Sequence, residues 1–260
     1  MFENIYDFGA NKGQNIDYFY RFTNRVIAIE PIPDLYNQIK EKYEFEINNK
    51  KLLVLNSAVV TDEETRKIDF FVNTEKSWES TLIKNEKYKK IEVNAVTPNA
   101  LFKINGFPDY LKIDIENFDL EVLKYLHINK ITPRYLSFEV QNSDILEFVI
   151  NNFDYKYFNF VLGHRISKDY KHLGLHNNSS GPVCDDLKFT WVSKNMIKKF
   201  MIISKYGWVD IHCTNEIYGN NNVLGTFTTV FYLLMDRVYR YFKPLKNRII
   251  GKLEHIFKKP

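Results

Sequence analysis

Cysteine is scarce: Cys184 and Cys213 stand alone in 260 residues. They form neither a metal-ligand spacing nor a disulfide framework, so a reducing cytoplasm is the expected compartment. The first residues lack the charged and then apolar pattern of a signal peptide, because 4–8 already read as a core strand. The uncharged run from Val223 to Met235 is 13 residues long, short of the roughly 20 needed to cross a bilayer. No internal repeat or low-complexity linker divides the chain. What is present is a 45% hydrophobic, 16% aromatic composition, which excludes a disordered or fibrous chain and suits one α/β domain with a sizeable core.

Acid and base are unevenly spread. The net charge is +4, yet residues 236–260 carry eight Lys/Arg against two acids, which leaves the preceding part at −2. A nucleic-acid enzyme spreads basic residues around its cleft, so no nucleic-acid partner is expected.

The opening is the most informative stretch. Asn4–Phe8 reads as a strand, Gly9-Ala10-Asn11-Lys12-Gly13 as a turn, Gln14–Phe22 as a helix and Arg25–Glu30 as a second strand. Gly9 and Gly13 permit a tight turn and a close backbone approach. Glu30 follows Asp7 by 23 residues, near the spacing of about 20 that sets a carboxylate against ribose hydroxyls. A dinucleotide fingerprint needs Gly-x-Gly-x-x-Gly. Its absence, with Asp7 at the strand end, disfavours a pyrophosphate and suits the cationic amino group and sulfonium of S-adenosylmethionine. Taken alone, Gly-x-x-x-Gly fits any α/β domain with a glycine turn.

Strand and helix patterns alternate to about Phe153, predicting a parallel sheet with helices on both faces. Further strands are expected at Lys51–Val60, Asp109–Phe118, Arg134–Val140, Tyr155–Leu162 and Gly207–Cys213, the last two as an antiparallel hairpin. Helices are expected at Pro33–Asn48, Leu120–Leu126 and Ser143–Asn152, with Ser143 as a cap. Ile68–Asn73 and Ile91–Thr97 are β-like and flank Ser77-Trp78-Glu79-Ser80-Thr81, a loop expected over the cofactor. The 44 residues 163–206 are too long for an ordinary connection and read as a substrate lid.

Asp-Phe-Gly-Ala-Asn-Lys-Gly (7–13), Ile-Glu-Pro (29–31), Asn-Ser-Ala-Val (56–59), Glu-Ser-Thr-Leu (79–82), Leu-Lys-Ile-Asp-Ile-Glu (111–116) and Ser-Phe-Glu (137–139) stand in order along the chain. In these six stretches the chain resembles the FkbM family of S-adenosylmethionine-dependent methyltransferases. The resemblance implies a Rossmann-like methyltransferase fold, with a mostly parallel seven-stranded sheet and a C-terminal antiparallel hairpin. The chain is read as one methyltransferase domain over 1–220, holding the 163–206 insertion, followed by a tail at 221–260 that charge and spacing make basic and amphipathic. Cofactor contacts are then expected from Asp7, Gly9, Ala10, Asn11, Gly13, Glu30, Pro31, Asn56, Ser57, Ala58, Ser80 and Asp114. One departure is Glu116-Asn117-Phe118-Asp119, where the family usually has Glu-Gly-Ala-Glu. Both acids remain and the glycine is lost, so a differently shaped turn is expected.

Asp114, Glu116 and Glu139 end strands and should face the crevice as catalytic acids, with capping or salt bridging as the alternative for each. The same three carboxylates can hold Mg²⁺, though a metal is not the favoured reading. His164 is a candidate general base, beside His176 and His212, against the commoner structural role of a lone histidine. His172 and His176 have i, i+4 spacing, but Gly174 and the following asparagines oppose the helix zinc would need.

The resemblance, with the character of the tail, implies O-methylation of a sugar hydroxyl on a cell-surface or lipid-linked glycan. The alternatives are a natural-product O-methyltransferase, a non-catalytic module partnering a glycosyltransferase, and a nicotinamide oxidoreductase. In the tail, Leu245, Ile249, Ile250, Leu253, Ile256 and Phe257 repeat at helical spacing among basic residues. This predicts an anionic membrane surface as partner and a peripheral place at the inner membrane, against packing on its own domain or a second subunit.

Overall fold

The computed structural model describes residues 1–175, 179–204, 208–216, 218, 225–226 and 228–242. A seven-stranded sheet runs in the order β3-β2-β1-β7-β8-β10-β9. Its strands are β1 (Ile5–Phe8), β2 (Val26–Ile29), β3 (Leu52–Leu55), β7 (Tyr110–Ile113), β8 (Tyr135–Glu139), β9 (Tyr157–Leu162) and β10 (Val209–Thr214). Strand β10 lies antiparallel between β8 and β9, and the pairings among β1, β2, β3, β7 and β8 are parallel. The chain fills the sheet outward from β1 to β3 and then returns to the other side of β1 with β7. The topological switch between β1 and β7 opens a crevice at their C-terminal ends.

The expected strand 51–60 divides. Asn56 turns its side chain back to donate to the carbonyls of Glu30 and Pro31, both at 2.9 Å. Beyond it β4 (Ser57–Val59) leaves the main sheet and joins β5 (Lys67–Val72) and β6 (Lys89–Val96) in a three-stranded sheet of order β4-β6-β5. Ile32, Leu35, Ala58, Phe70 and Val93 close the space between.

Helices cover the main sheet. The expected first helix shrinks to one turn, α1 (Ile16–Phe19), and 33–48 breaks at Tyr43 into α2 (Pro33–Lys42) and α3 (Glu44–Asn48). An unforeseen α4 (Pro98–Asn105) starts where Thr97 Oγ1 accepts from the Ala100 N–H at 3.3 Å, with proline in its first turn, a strong start signal. Helices α5 (Asp119–Ile128) and α6 (Ser143–Asn152) follow β7 and β8. Asn142, not Ser143, caps α6, its Oδ1 accepting from the Asp144 N–H at 3.0 Å.

Much of the insertion is core. Residues 163–204 hold α7 (Ile166–Asp169) and α8 (Lys194–Ser204). Val183, Cys184, Leu187 and Trp191 pack on one sheet face, and Phe189, Ile197, Phe200 and Met201 join the core of the other. The expected boundary at 220 is also moved, because a last helix, α9 at 228–242, sets Leu233 into the main core. His176, Gly207 and the amphipathic repeat from Leu245 to Phe257 lie outside the described residues.

Strand alternation gives each sheet face a different character. Tyr6, Phe8, Leu111, Ile113, Leu136, Phe138, Phe160 and Ile211 make one face wholly apolar. On the other, the register places Asp7, Lys112, Ser137, His212 and Asn159 in one buried row across five strands. Glu139 and Asp210 sit opposite each other nearer the crevice.

Candidate active site

A cavity of ≈ 510 Å³ opens at the switch point. Its lining includes Gly9, Asn11, Glu30, Ile32, Ala58 and Val59 together with Asp114, Glu116 and Glu139, and Trp78 and Trp208.

The glycine turn forms one part of this lining. Gly9 has φ +83°, and a Cβ there would lie 1.9 Å from the Asp114 carbonyl oxygen, so only glycine lets the turn meet the end of β7. Glu30 fixes the same turn from β2: its Oε2 accepts from Asn11 N–H and its Oε1 from Ile32 N–H, each at 2.8 Å. Burial pushes the Glu30 carboxyl up to about 8 despite these two donors. Each oxygen keeps a lone pair for a ligand hydroxyl.

Another part is dense in acid. Glu116 and Asn117 have φ +50° and +68°, and the bend carries the Glu116 side chain into the cavity lining. Asparagine tolerates the left-handed conformation, so the turn forms without the glycine usual in the resemblance. Thr81 Oγ1 donates to the Glu116 carbonyl at 2.7 Å, fastening the 77–81 loop to this bend. Burial, with Glu139 and Asp114 nearby, pushes Glu116 up to about 9. Burial with Asp114 and Asp119 nearby raises Glu139 to about 8. Behind them Asp119 rises to about 7, chiefly through burial, and Asp210 is raised for the same reason. One oxygen each of Asp119 and Asp210 is buried without a hydrogen-bond partner. A positive charge on a ligand would offset this crowding.

Asp114, Glu116 and Glu139 each present an oxygen within 4.8 Å of the others, the one group of this kind among the described residues able to hold a metal ion.

Several expected residues serve the site without lining it. Asp7 is fully buried, with Oδ1 2.9 Å from Lys112 Nζ; its charge is directed at the lysine and not at the cavity. Asn56 clamps the backbone of 30–31, and Ala10 and Gly13 shape the turn outside the lining. His164 is also displaced from the cavity, its Nε2 3.1 Å from Asp236 Oδ1 on α9. His212 is sealed in the sheet, with Nδ1 3.0 Å from the Tyr135 hydroxyl, and burial lowers its pKa to about 3. Neither histidine meets the crevice. Gly9, Asn11, Glu30, Pro31, Ser57, Ala58, Ser80, Asp114, Glu116 and Glu139 do line it.

Three contributors escaped sequence reasoning. Lys112, 2% exposed, reaches Asp114 Oδ2 at 3.3 Å as well as Asp7. Burial favours its neutral form, but Asp7 and Asp114 outweigh this and hold it protonated. A lysine inside an apolar strand was the available signal. Trp208 had none, because only the β10 register brings it to the mouth. Ser180, whose Oγ donates to Asp114 Oδ2 at 3.2 Å, comes from 66 residues away.

The profile of the Methyltransferase FkbM domain family matches residues 7–162. No curated protein matches the chain. Among solved structures, an FkbM methyltransferase from Methylobacillus flagellatus KT is 17% identical with a TM-score of 0.41, over 61% of this chain and 39% of that one. The alignment therefore spans well under half the length of that protein. The StiE O-MT structure (residues 961–1257) is 8% identical with a TM-score of 0.39, covering 92% of this chain and 75% of that one. Streptococcus mutans SMU.1697c, solved in complex with SAH, is 9% identical with a TM-score of 0.36, over 81% and 88%.

Proposed function

This chain belongs to the FkbM family of S-adenosylmethionine-dependent methyltransferases, and we propose that it methylates a sugar hydroxyl of a cell-surface or lipid-linked glycan. The observation that carries the proposal is the lining of one cavity. Glu30, the glycine turn and apolar Ile32, Ala58 and Val59 share it with clustered carboxylates and two tryptophans.

The residues fit the donor. Glu30 can accept from both ribose hydroxyls while holding Asn11 and Ile32, and Ile32, Ala58 and Val59 offer an apolar slot for the adenine. When bound, S-adenosylmethionine supplies a methyl group on a positively charged sulfur. Asp114 and the acids around it favour a cation there, and Lys112 holds the Asp114 carboxylate in place.

Glu139 takes the proton of the acceptor hydroxyl. A base is most effective with a pKa near the working pH, which is where burial and its acidic neighbours hold Glu139. Trp78 and Trp208 are 49% and 40% exposed at the cavity. Indole faces pack against the C–H face of a sugar ring while carboxylates accept from its hydroxyls, and this pairing supports the choice of a sugar acceptor.

Isothermal calorimetry with S-adenosylhomocysteine against NAD tests the cofactor; heat with NAD alone overturns it. Transfer of labelled methyl to nucleotide sugars and extracted surface glycans tests the acceptor. Product formed only from non-sugar small molecules overturns the glycan reading.

A further inference from the structure

Helix α9 is amphipathic in the reverse of the usual sense. Its core side is largely polar: Thr229, Leu233 and Asp236 are buried. Tyr232 accepts from Arg165 Nε at 2.8 Å and donates to Asp169. Asp236 meets His164 Nε2 at 3.1 Å and Arg240 Nε at 2.9 Å, and the Lys188 ammonium lies 4.1 Å from the Tyr232 ring centroid. The opposite side presents Phe231, Leu234, Met235, Val238 and Phe242, between 46% and 67% exposed. Those positions follow i, i+3, i+4, i+7 and i+11, one continuous stripe of a helix. An ordinary surface helix turns such a stripe inward.

Charge identifies what covers it. Asp236 is the only acid in 228–242, and it is turned inward and paired. Residues 237–260 carry eight Lys/Arg and one acid. The occupant must be apolar and negatively charged at once. No helix among the described residues is long and apolar enough to cross a membrane.

We propose that the outer face of α9 docks on an anionic lipid bilayer, with the helix lying in the plane of the headgroups. The docked face is coupled to the active-site mouth. His164, which holds Asp236, follows Gly163, whose N–H donates to the Trp208 carbonyl at 2.9 Å. Resting on the glycan reading for this one point, the arrangement brings a lipid-linked acceptor to Trp208.

The test is co-sedimentation of the full chain with phosphatidylglycerol vesicles and with phosphatidylcholine vesicles, for wild type and for Leu234→Asn/Val238→Asn. Both substituted residues are exposed, so the melting temperature should not fall; Phe242→Asn serves as a second variant if it does. The expected result is binding to phosphatidylglycerol that is weak on phosphatidylcholine and drops at least about tenfold in the variant. Absence of binding, equal binding to both lipids, or equal binding by wild type and variant overturns the proposal. So does a wild-type dimer in lipid-free light scattering that the variant converts to monomer, which would make the stripe a subunit interface. Vesicle binding is read without substrate, so its failure is separate from failure of the glycan reading.

Discussion

Lys112 Nζ lies 2.9 Å from Asp7 Oδ1 with both side chains sealed from solvent. The two residues are paired across β1 and β7, the strands that flank the switch point. Their ion pair locks the edges of the crevice together, and the same ammonium reaches up to Asp114. A buried pair of this kind adds little net stability, but removing one partner strands a charge.

Lys112→Met should therefore destabilise the protein by roughly 3–5 kcal/mol, with a smaller loss for the double variant Asp7→Asn/Lys112→Met. Urea unfolding measures both. A Lys112→Met protein as stable as wild type would mean that the pair does not hold these strands.

Glu30→Gln keeps the side-chain shape but exchanges one acceptor oxygen for an amide donor. S-adenosylhomocysteine should bind more weakly by roughly 1–3 kcal/mol, the cost of leaving a buried polar group without its partner. Unchanged affinity in a folded variant would show that Glu30 serves the glycine turn alone.

If Glu139 receives the hydroxyl proton, Glu139→Gln should lower kcat at least tenfold, about 1.4 kcal/mol of barrier. The rise of wild-type kcat toward pH 8 should vanish in the variant, and EDTA should leave wild-type turnover unchanged. Turnover lost to EDTA and restored by Mg²⁺ would instead make Asp114, Glu116 and Glu139 metal ligands.

Stability should fall as pH rises from about 6.5 to 8.5. The sign follows from the protons: Glu30, Glu139 and Glu116 have folded pKa values of about 8, 8 and 9. The unfolded chain has already released those protons, near 4.5, so in this window the folded form binds more. His212, lowered to about 3, acts with the opposite sign, but only below its unfolded value near 6.5. Scanning calorimetry of the ligand-free protein across this range should show a declining Tm; a flat or rising one contradicts the buried-acid assignment.

Gly163→Ala probes the mouth. An added Cβ would stand 2.1 Å from Trp208 Cδ2, so the indole must move. KM for the acceptor should rise while S-adenosylhomocysteine affinity holds. An unaltered KM would remove Trp208 from acceptor binding.

The sequence by itself determined the alternation of elements, the glycine turn with Glu30 beyond it, and the three acids at strand ends. Each rests on local chemistry: a period of two or 3.6, a backbone that only glycine fits, a fixed reach from strand to loop. Asn117 shows how far that reaches, since its left-handed φ of +68° replaces a glycine with a residue that tolerates the same conformation. Tertiary structure alone decided the rest. Whether Asp7 faces ligand or lysine depends on register with β7. Whether His164 is a base or an anchor depends on α9, 72 residues away. Much of the insertion became core because its apolar residues met an open sheet face, a contact between distant segments that no local pattern encodes. Trp208 reached the mouth by the same route, and α9 turned its apolar stripe outward because the pocket beneath it was already lined with Arg165, Asp169 and Lys188.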